Sequence, residues 1–318
     1  MDSPFLLVDL DRTAPPPPGP DQVRVGVAHR PGTPPEGFDV LLTAAPDAPR
    51  PWVSCVDVDV TARLLRDAVT RRPAAAVALV QVLRMGVALS PPDRLVLESL
   101  AYSALQGGAG FQAWLNRPRP RVPSPADEPV RVERDGERLT VTLDRPWVRN
   151  ALDAATRDAL CEALEVAVAD PSISRVDLKG NGPAFCSGGD LTEFGTSTDL
   201  AAAHRVRVLR SPATLLQQCG PKTTVHLHGA CVGAGIELAA AAGRVLAAPD
   251  TVIRLPEIAM GLIPGAGGTA SLPARIGRER TAYLALSDTL LPAEEALRWG
   301  LVDELEGAPC LGAGTKRR

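Results

Sequence analysis

Two glycine-dense stretches constrain this chain more than anything else in it. The first is Ala184-Phe-Cys-Ser-Gly-Gly-Asp-Leu191 and the second Gly229-Ala-Cys-Val-Gly-Ala-Gly-Ile-Glu-Leu238. Each follows a run with strand character, residues 175–180 and 223–228, and each leads toward a helix-forming segment. Glycine at this density marks tight turns or close backbone approaches. A turn that opens into a helix exposes N–H groups the helix itself cannot use, and the helix dipole adds positive potential there. Such a corner can hold an oxygen that is gaining negative charge. One such turn alone reads equally well as a plain strand–helix corner.

The pattern around these turns alternates strand and helix. Residues 129–134 and 138–143 read as two strands joined at Asp135-Gly136, and residues 153–168 and about 200–219 as helices. A helix over 235–242, strands over 244–247 and 251–254, a helix over about 268–275 and further helices to Trp299 complete the region. This is an α/β order of ββα units. Before it, residues 23–28 and 38–43 read as short strands. Apolar positions three and four apart then predict helices over 60–70 and 74–86. Asp93 can cap a third helix to Leu105, and 110–116 form a fourth. The proline-rich segment 116–129 resists helix and sheet interiors and reads as a linker. The division is therefore 1–115, linker 116–129, 130–306, and a tail 307–318.

Composition excludes several classes. The chain has 318 residues and a formal net charge of −3, so bulk electrostatics predict no nucleic-acid partner. Hydrophobic residues make up 45% but aromatics only 3%, which favours a core of small aliphatic side chains. Six cysteines without CxxC spacing read as reduced thiols. No basic region precedes an apolar run at the start, and the most apolar stretch, 74–89, is interrupted by Gln81 and Arg84 and is too short to span a bilayer. The expectation is a cytoplasmic protein with no membrane contact.

Two acidic residues stand close to the second turn. Glu237 lies in the first turn of its helix, where a negative charge is favoured in any case. Glu257, in Arg254-Leu-Pro-Glu-Ile258, sits in an apolar setting that a solvated surface acid would not choose. With Leu143-Asp-Arg-Pro-Trp-Val-Arg-Asn-Ala-Leu152 and Met260-Gly-Leu-Ile-Pro-Gly-Ala-Gly-Gly-Thr269, the chain from about 130 to 306 resembles the crotonase superfamily, the enoyl-CoA hydratases and isomerases. The resemblance implies a crotonase-like spiral of ββα units, here with an N-terminal, mainly helical region added.

The resemblance also implies the chemistry. Adding water across the double bond of an enoyl-CoA thioester passes through an enolate-like state with charge on the thioester oxygen. By motif position the backbone N–H groups of Gly189 and Ala234 form the oxyanion hole, each commonly worth about a hundred- to a thousand-fold in rate. Glu237 and Glu257 handle the water, one as base and the other supplying the proton to Cα. Arg149, Ser187, Gly188, Asp190 and Leu191 are the candidate CoA- and substrate-binding residues, with Arg149 toward the phosphates. Arg149 also reads as a solvated arginine. No cofactor is implied beyond the coenzyme A of the substrate, and relatives form homotrimers or homohexamers. His226 and His228 share a strand face, but no further ligands accompany them, so no metal site is expected. Cys186 reads as a packing residue, and 265–268 as a structural turn beside the site. An isomerase working on Glu257 alone, or a catalytically silent partner subunit, are the alternatives.

Typical relatives continue past the segment resembling 296–304 into a helical lid, whereas here fourteen residues follow Glu304. Segments 60–69, 72–84, 98–105 and 110–118 look like that lid in its internal order. This implies a permuted arrangement with the lid first. An extended linker of ten residues, at roughly 3.1 Å each, spans about 30 Å.

Overall fold

A computed structural model describes residues 3–12, 17, 19–117 and 128–307. Most of the proline-rich segment, 118–127, and the tail from 308 lie outside the described residues.

The chain opens with four strands, β1 (Phe5–Asp9), β2 (Val23–Val27), β3 (Val40–Thr43) and β4 (Val53–Ser54), parallel and in that spatial order. The region before 115 thus carries two strands, β1 and β4, beyond the two expected at 23–28 and 38–43. β1, a short apolar run without a clean alternation, and β4, only two residues long, were not legible. Four helices follow: α1 (Val58–Arg71), α2 (Pro73–Gly86), α3 (Pro91–Gln106) and α4 (Ala109–Leu115). Their starts follow local chemistry. The Asp57 carboxylate accepts from Val60 N–H, Pro73 stands in the first turn of α2, and Ser90 caps α3 ahead of Pro91.

The remainder alternates as expected. β5 (Val130–Asp135) and β6 (Arg138–Leu143) form the hairpin, and α5 (Ala154–Ala169) starts from an Asp153 cap. β7 (Arg175–Gly180), α6 (Leu200–Leu209), α7 (Pro212–Cys219), β8 (Thr223–Leu227), β9 (Ala230–Val232), α8 (Ala234–Ala240), β10 (Arg244–Ala247) and β11 (Val252–Arg254) follow. Last come α9 (Glu257–Met260), α10 (Gly268–Ile276), α11 (Arg278–Ser287), β12 (Leu291–Pro292), α12 (Ala293–Trp299) and β13 (Glu304–Leu305). The single helix expected over 200–219 is two. Pro212 lacks an N–H and forces Ser211 into an extended conformation, φ −108° and ψ 102°, so α6 must end before it.

One six-stranded sheet runs β13-β10-β8-β7-β6-β5, parallel except for the β5–β6 hairpin, and a three-stranded sheet runs β12-β11-β9. One large hydrophobic cluster extends from Phe5 and Val25 through Leu65, Leu79 and Phe111 to Leu164, Leu238 and Leu284, and a smaller one gathers Val8, Phe38, Leu41 and Trp52. The early helices share the large one: α1 and α2 pack on α11, α2 and α3 on α10, and α4 on α9. Polar locks reinforce this seam. Arg50 donates to Pro273 O and Arg275 O at 3.2 and 3.1 Å, and the buried Arg280 donates to Ala48 O and Trp52 O at 2.9 and 3.0 Å. Such charge-assisted bonds to buried carbonyls hold two surfaces in one register.

Candidate active site

The two glycine turns are brought together by pairing between them. Phe185 N–H donates to His228 O at 2.9 Å, Cys186 N–H to Ala230 O at 3.3 Å, and Val232 N–H to Cys186 O at 3.0 Å. The contact tolerates no bulk: a Cβ on Gly188 would lie 3.1 Å from Val232 O, and both Gly188 (φ 99°) and Gly233 (φ 50°) occupy backbone conformations that favour glycine. Cys186 and Cys231 are fully buried between the turns, and burial pushes the Cys186 thiol up to about 12. A buried thiol whose thiolate is disfavoured has the environment of a packing residue.

Asn150 holds the first turn from behind. Its side chain is buried, accepts from Arg145 N–H at 2.8 Å, and donates to the carbonyls of Asn181, Ala184 and Phe185 at 2.8, 2.8 and 3.1 Å. It precedes α5, which begins at Ala154, and its left-handed φ of 55° suits asparagine better than most residues. Asn150→Ala is expected to strip four hydrogen bonds from a buried site and lower stability by about 3 kcal/mol. Urea denaturation with an unchanged midpoint would contradict this role.

Leu152 N–H donates to Gly188 O and accepts, through its own carbonyl, from Asp190 N–H, at 2.8 and 2.9 Å. That pairing skips Gly189, whose N–H meets no acceptor among the described residues. Ala234 is the first residue of α8, so its N–H has no partner within the helix. Both residues line one cleft of about 220 Å³, together with Glu237, Glu257, Tyr102 and Phe194.

Glu237 and Glu257 are 2% and 8% exposed. Glu237 Oε2 accepts from Ala266 N–H at 2.7 Å and Gly268 N–H at 2.9 Å. Burial raises this carboxyl well above its ordinary value, the Glu257 and Glu98 charges add to the rise, and the two N–H donors oppose it. Burial likewise raises Glu257, to about 8, with Asp288 and Glu98 reinforcing and Arg254 opposing. Its Oε2 is buried with no hydrogen-bond partner among the described residues. A Cβ at Gly233 would collide with Glu257 Oε1, so the second turn and this carboxylate are in contact.

The turn 265–268 does more than its expected structural part. Its N–H groups alternate: Ala266 and Gly268 serve Glu237, while Gly267 and Thr269 donate at 2.7 Å to the buried Glu98 of α3. The Thr269 hydroxyl also donates to Glu98, and burial raises that carboxyl to about 7. Glu98 was missed in the sequence, where it reads as one polar residue on a helix. Tyr102 and Gln106 line the cleft from the same helix. Phe194, tilted against Phe111 and edge-on to Trp114, closes the first turn, because a Cβ on Gly189 would fall 2.8 Å from its ring.

The candidate CoA-side residues are close together but differ in role. Arg149 is exposed, and among the described residues its guanidinium meets no carboxylate; its carbonyl accepts from Ser187 N–H at 2.9 Å. Ser187 Oγ donates to Val148 O at 3.2 Å. The Asp190 side chain turns back on the protein, accepting from Thr192 N–H at 3.0 Å and from Arg145 Nη2 at 3.4 Å, so it shapes the turn. Leu191 is 40% exposed. His226 is held between Glu306 Oε1 and Asp177 Oδ1 at 2.7 and 3.0 Å. No group of three or more metal-ligating side chains occurs among the described residues, and no described helix is long and apolar enough to cross a membrane.

Known proteins match much of this chain. The family described as Enoyl-CoA hydratase/isomerase matches residues 135–308. The 2,3-dehydroadipyl-CoA hydratase of Escherichia coli (strain K12) is 36% identical over 174 residues, covering 55% of this chain and 68% of its own. A probable enoyl-CoA hydratase of Rhodobacter capsulatus is 39% identical over 178 residues, covering 55% and 67%. The crystal structure of enoyl-CoA hydratase from Thermoplasma volcanium GSS1 matches with a TM-score of 0.50 and 33% identity, over 56% of this chain and 72% of that one. The chain thus spans about two thirds of the length of the curated relatives it matches. The matched stretch is over half of the sequence and carries both turns and both glutamates, and the chain belongs to the enoyl-CoA hydratase/isomerase family.

Proposed function

We propose that the cleft adds water across the α,β double bond of an enoyl-CoA thioester. The observation that carries this reading is two buried carboxylates in one cleft with two N–H groups that the fold leaves unused. The thioester oxygen sits between the Gly189 and Ala234 N–H groups, which take up its charge as the enolate forms. Glu237, with two N–H donors on one oxygen, is favoured as the carboxylate and removes a proton from water as its oxygen bonds to Cβ. Glu257, whose Oε2 has no donor, is favoured as the neutral acid and delivers its proton to Cα as the enolate collapses. Arg149 stands at the exposed end for the CoA phosphates, and no cofactor beyond coenzyme A takes part. Helices α1–α4 serve as the lid, in a permuted order relative to the family, since α3 and α4 supply Tyr102, Glu98 and the aromatic cover.

Isomerisation is the second reading, because Glu257 alone has the unpartnered oxygen that a single proton shuttle needs. The test is a parallel assay on crotonyl-CoA and on a 3-enoyl-CoA. Hydration of the first is expected, at a rate well above any shift of the double bond in the second. Shift without hydration would transfer the assignment to isomerase, and neither activity would leave a silent partner subunit.

A further inference from the structure

The catalytic cleft does not end at Glu237. It shares Leu152, Arg207, Gly265 and Ala266 with a second cavity of about 280 Å³ between α3, α6 and α7. That cavity is largely apolar, lined by Pro92, Leu95, Val96, Val208, Pro212 and Leu238. Residues on the CoA side, Arg149 and Ser187, do not line it. With the thioester oxygen at Gly189 and Ala234, an acyl tail leaving the two glutamates has this space to enter.

The charge of the second cavity is one-sided. Three guanidiniums, of Arg157, Arg207 and Arg210, line it against a single carboxylate, Glu98. Glu98 is already taken by Gly267, Thr269 N–H and the Thr269 hydroxyl. Arg157 and Arg210 are spoken for by Asp158, Glu162 and Glu165. Arg207 is different. Its side chain stands over the Tyr102 ring at 5.0 Å and donates only to neutral acceptors: Ser99 Oγ at 3.0 Å, Ser99 O at 3.4 Å, Gln106 Oε1 at 3.3 Å and Ser103 Oγ. A guanidinium has five N–H groups, so one on Nη1 is left over. Among the described residues Arg207 meets no carboxylate within ion-pair distance. Glu98 acts on it through space without bonding it. A half-buried cation whose hydrogen-bond partners are all neutral, set at the junction of two cavities, attracts an anion more strongly than a solvated arginine does.

We propose that Arg207 reads a carboxylate at the distal end of the acyl group, so that the preferred substrate is the mono-CoA thioester of an unsaturated dicarboxylic acid. This rests on the cleft being an enoyl-CoA site. The apolar walls take the methylenes of the tail, and Arg207 meets the terminal carboxylate near the cavity junction. An uncharged tail of the same length fills the same walls but offers the guanidinium no carboxylate to bond.

The test uses chain-length-matched pairs on the full-length protein: 2-hexenoyl-CoA against 2-hexenedioyl-CoA, and 2-pentenoyl-CoA against glutaconyl-CoA. The wild type is expected to favour a dicarboxylic member over its uncharged match by about tenfold or more in kcat/KM. In Arg207→Met that ratio should fall by about tenfold, and Arg207→Lys should recover part of it, with thermal melting used to confirm that both variants are folded. A wild type that prefers the uncharged thioesters, or a ratio unmoved in Arg207→Met while both rates fall together, would overturn the proposal and leave the hydratase reading standing. Turnover of none of the four thioesters would overturn both.

Discussion

Hydration by Glu257→Gln is expected to fall by about 10²–10⁴-fold, the usual worth of a positioned acid, while the same variant becomes more stable than the wild type in neutral and alkaline solution. The two effects share a cause. Glutamine keeps the shape but can neither ionise nor deliver a proton. In the wild type, burial raises the Glu257 carboxyl from its ordinary 4.5 to about 8. The folded protein therefore binds a proton that the unfolded chain releases above about 4.5, and stability falls as pH rises between those values. The loss runs at about 1.4 kcal/mol per pH unit at most, and is complete once pH passes about 8. The advantage of Glu257→Gln should be absent below pH about 4.5, grow through the window and level off above it. Urea melts across that range, beside initial rates with crotonyl-CoA, check both halves. A variant that keeps its activity, or whose stability tracks the wild type at every pH, would remove Glu257 from the chemistry. Glu237→Gln provides the comparison: loss of hydration with double-bond shift retained would show that water activation, not proton delivery to Cα, depends on Glu237.

Ala234→Pro should reduce turnover by about a hundred-fold or more without unfolding the protein. Proline is at home in the first turn of a helix, where its missing N–H breaks no helical bond. Gly233 before it, at φ 50° and ψ −121°, occupies the mirror image of an extended conformation, which glycine alone adopts easily. On the proposed mechanism, the change thus removes one donor to the developing enolate and little else. Circular dichroism is expected to match the wild type while kcat collapses. Full activity in a folded Ala234→Pro protein would mean that the thioester oxygen is held elsewhere.

Much of this site could be read from the chain because its parts are local. Gly188, Gly189, Gly233 and Glu237 lie within two short motifs, and their spacing encodes strand, turn and helix together. What could not be read depends on distant partners. Glu98 looks like a solvated helix residue until α10 supplies its N–H donors, and Arg207 is one arginine among many until two cavities meet at its side. Phe194 carries no signal at all outside the packing of α4. The same holds for the fold. Proline at 212 should have warned of the break between α6 and α7, since the residue before proline avoids the helical region, but the apolar pattern on both sides continues across it. β9 is three residues long inside a glycine motif, too short for a period-two pattern to register.

The alternating grip of Glu98 and Glu237 on residues 266–269 has a consequence for biosynthesis. The bonded positions are 169 and 171 residues apart for Glu98, and only 29 and 31 for Glu237. A ribosome releases α1, α2 and α3 long before α10 and α11 exist. Until then the faces carrying Leu65, Val69, Leu79, Val80 and Leu83, which end up fully buried, lack the α10 and α11 surfaces on which they pack. Contacts of such sequence separation form slowly, and unburied apolar faces invite aggregation in the interval. The nascent protein therefore passes through a long stage in which its first-made helices wait for a late-made platform, and the buried Glu98 gains its N–H donors only when α3 meets the turn before α10.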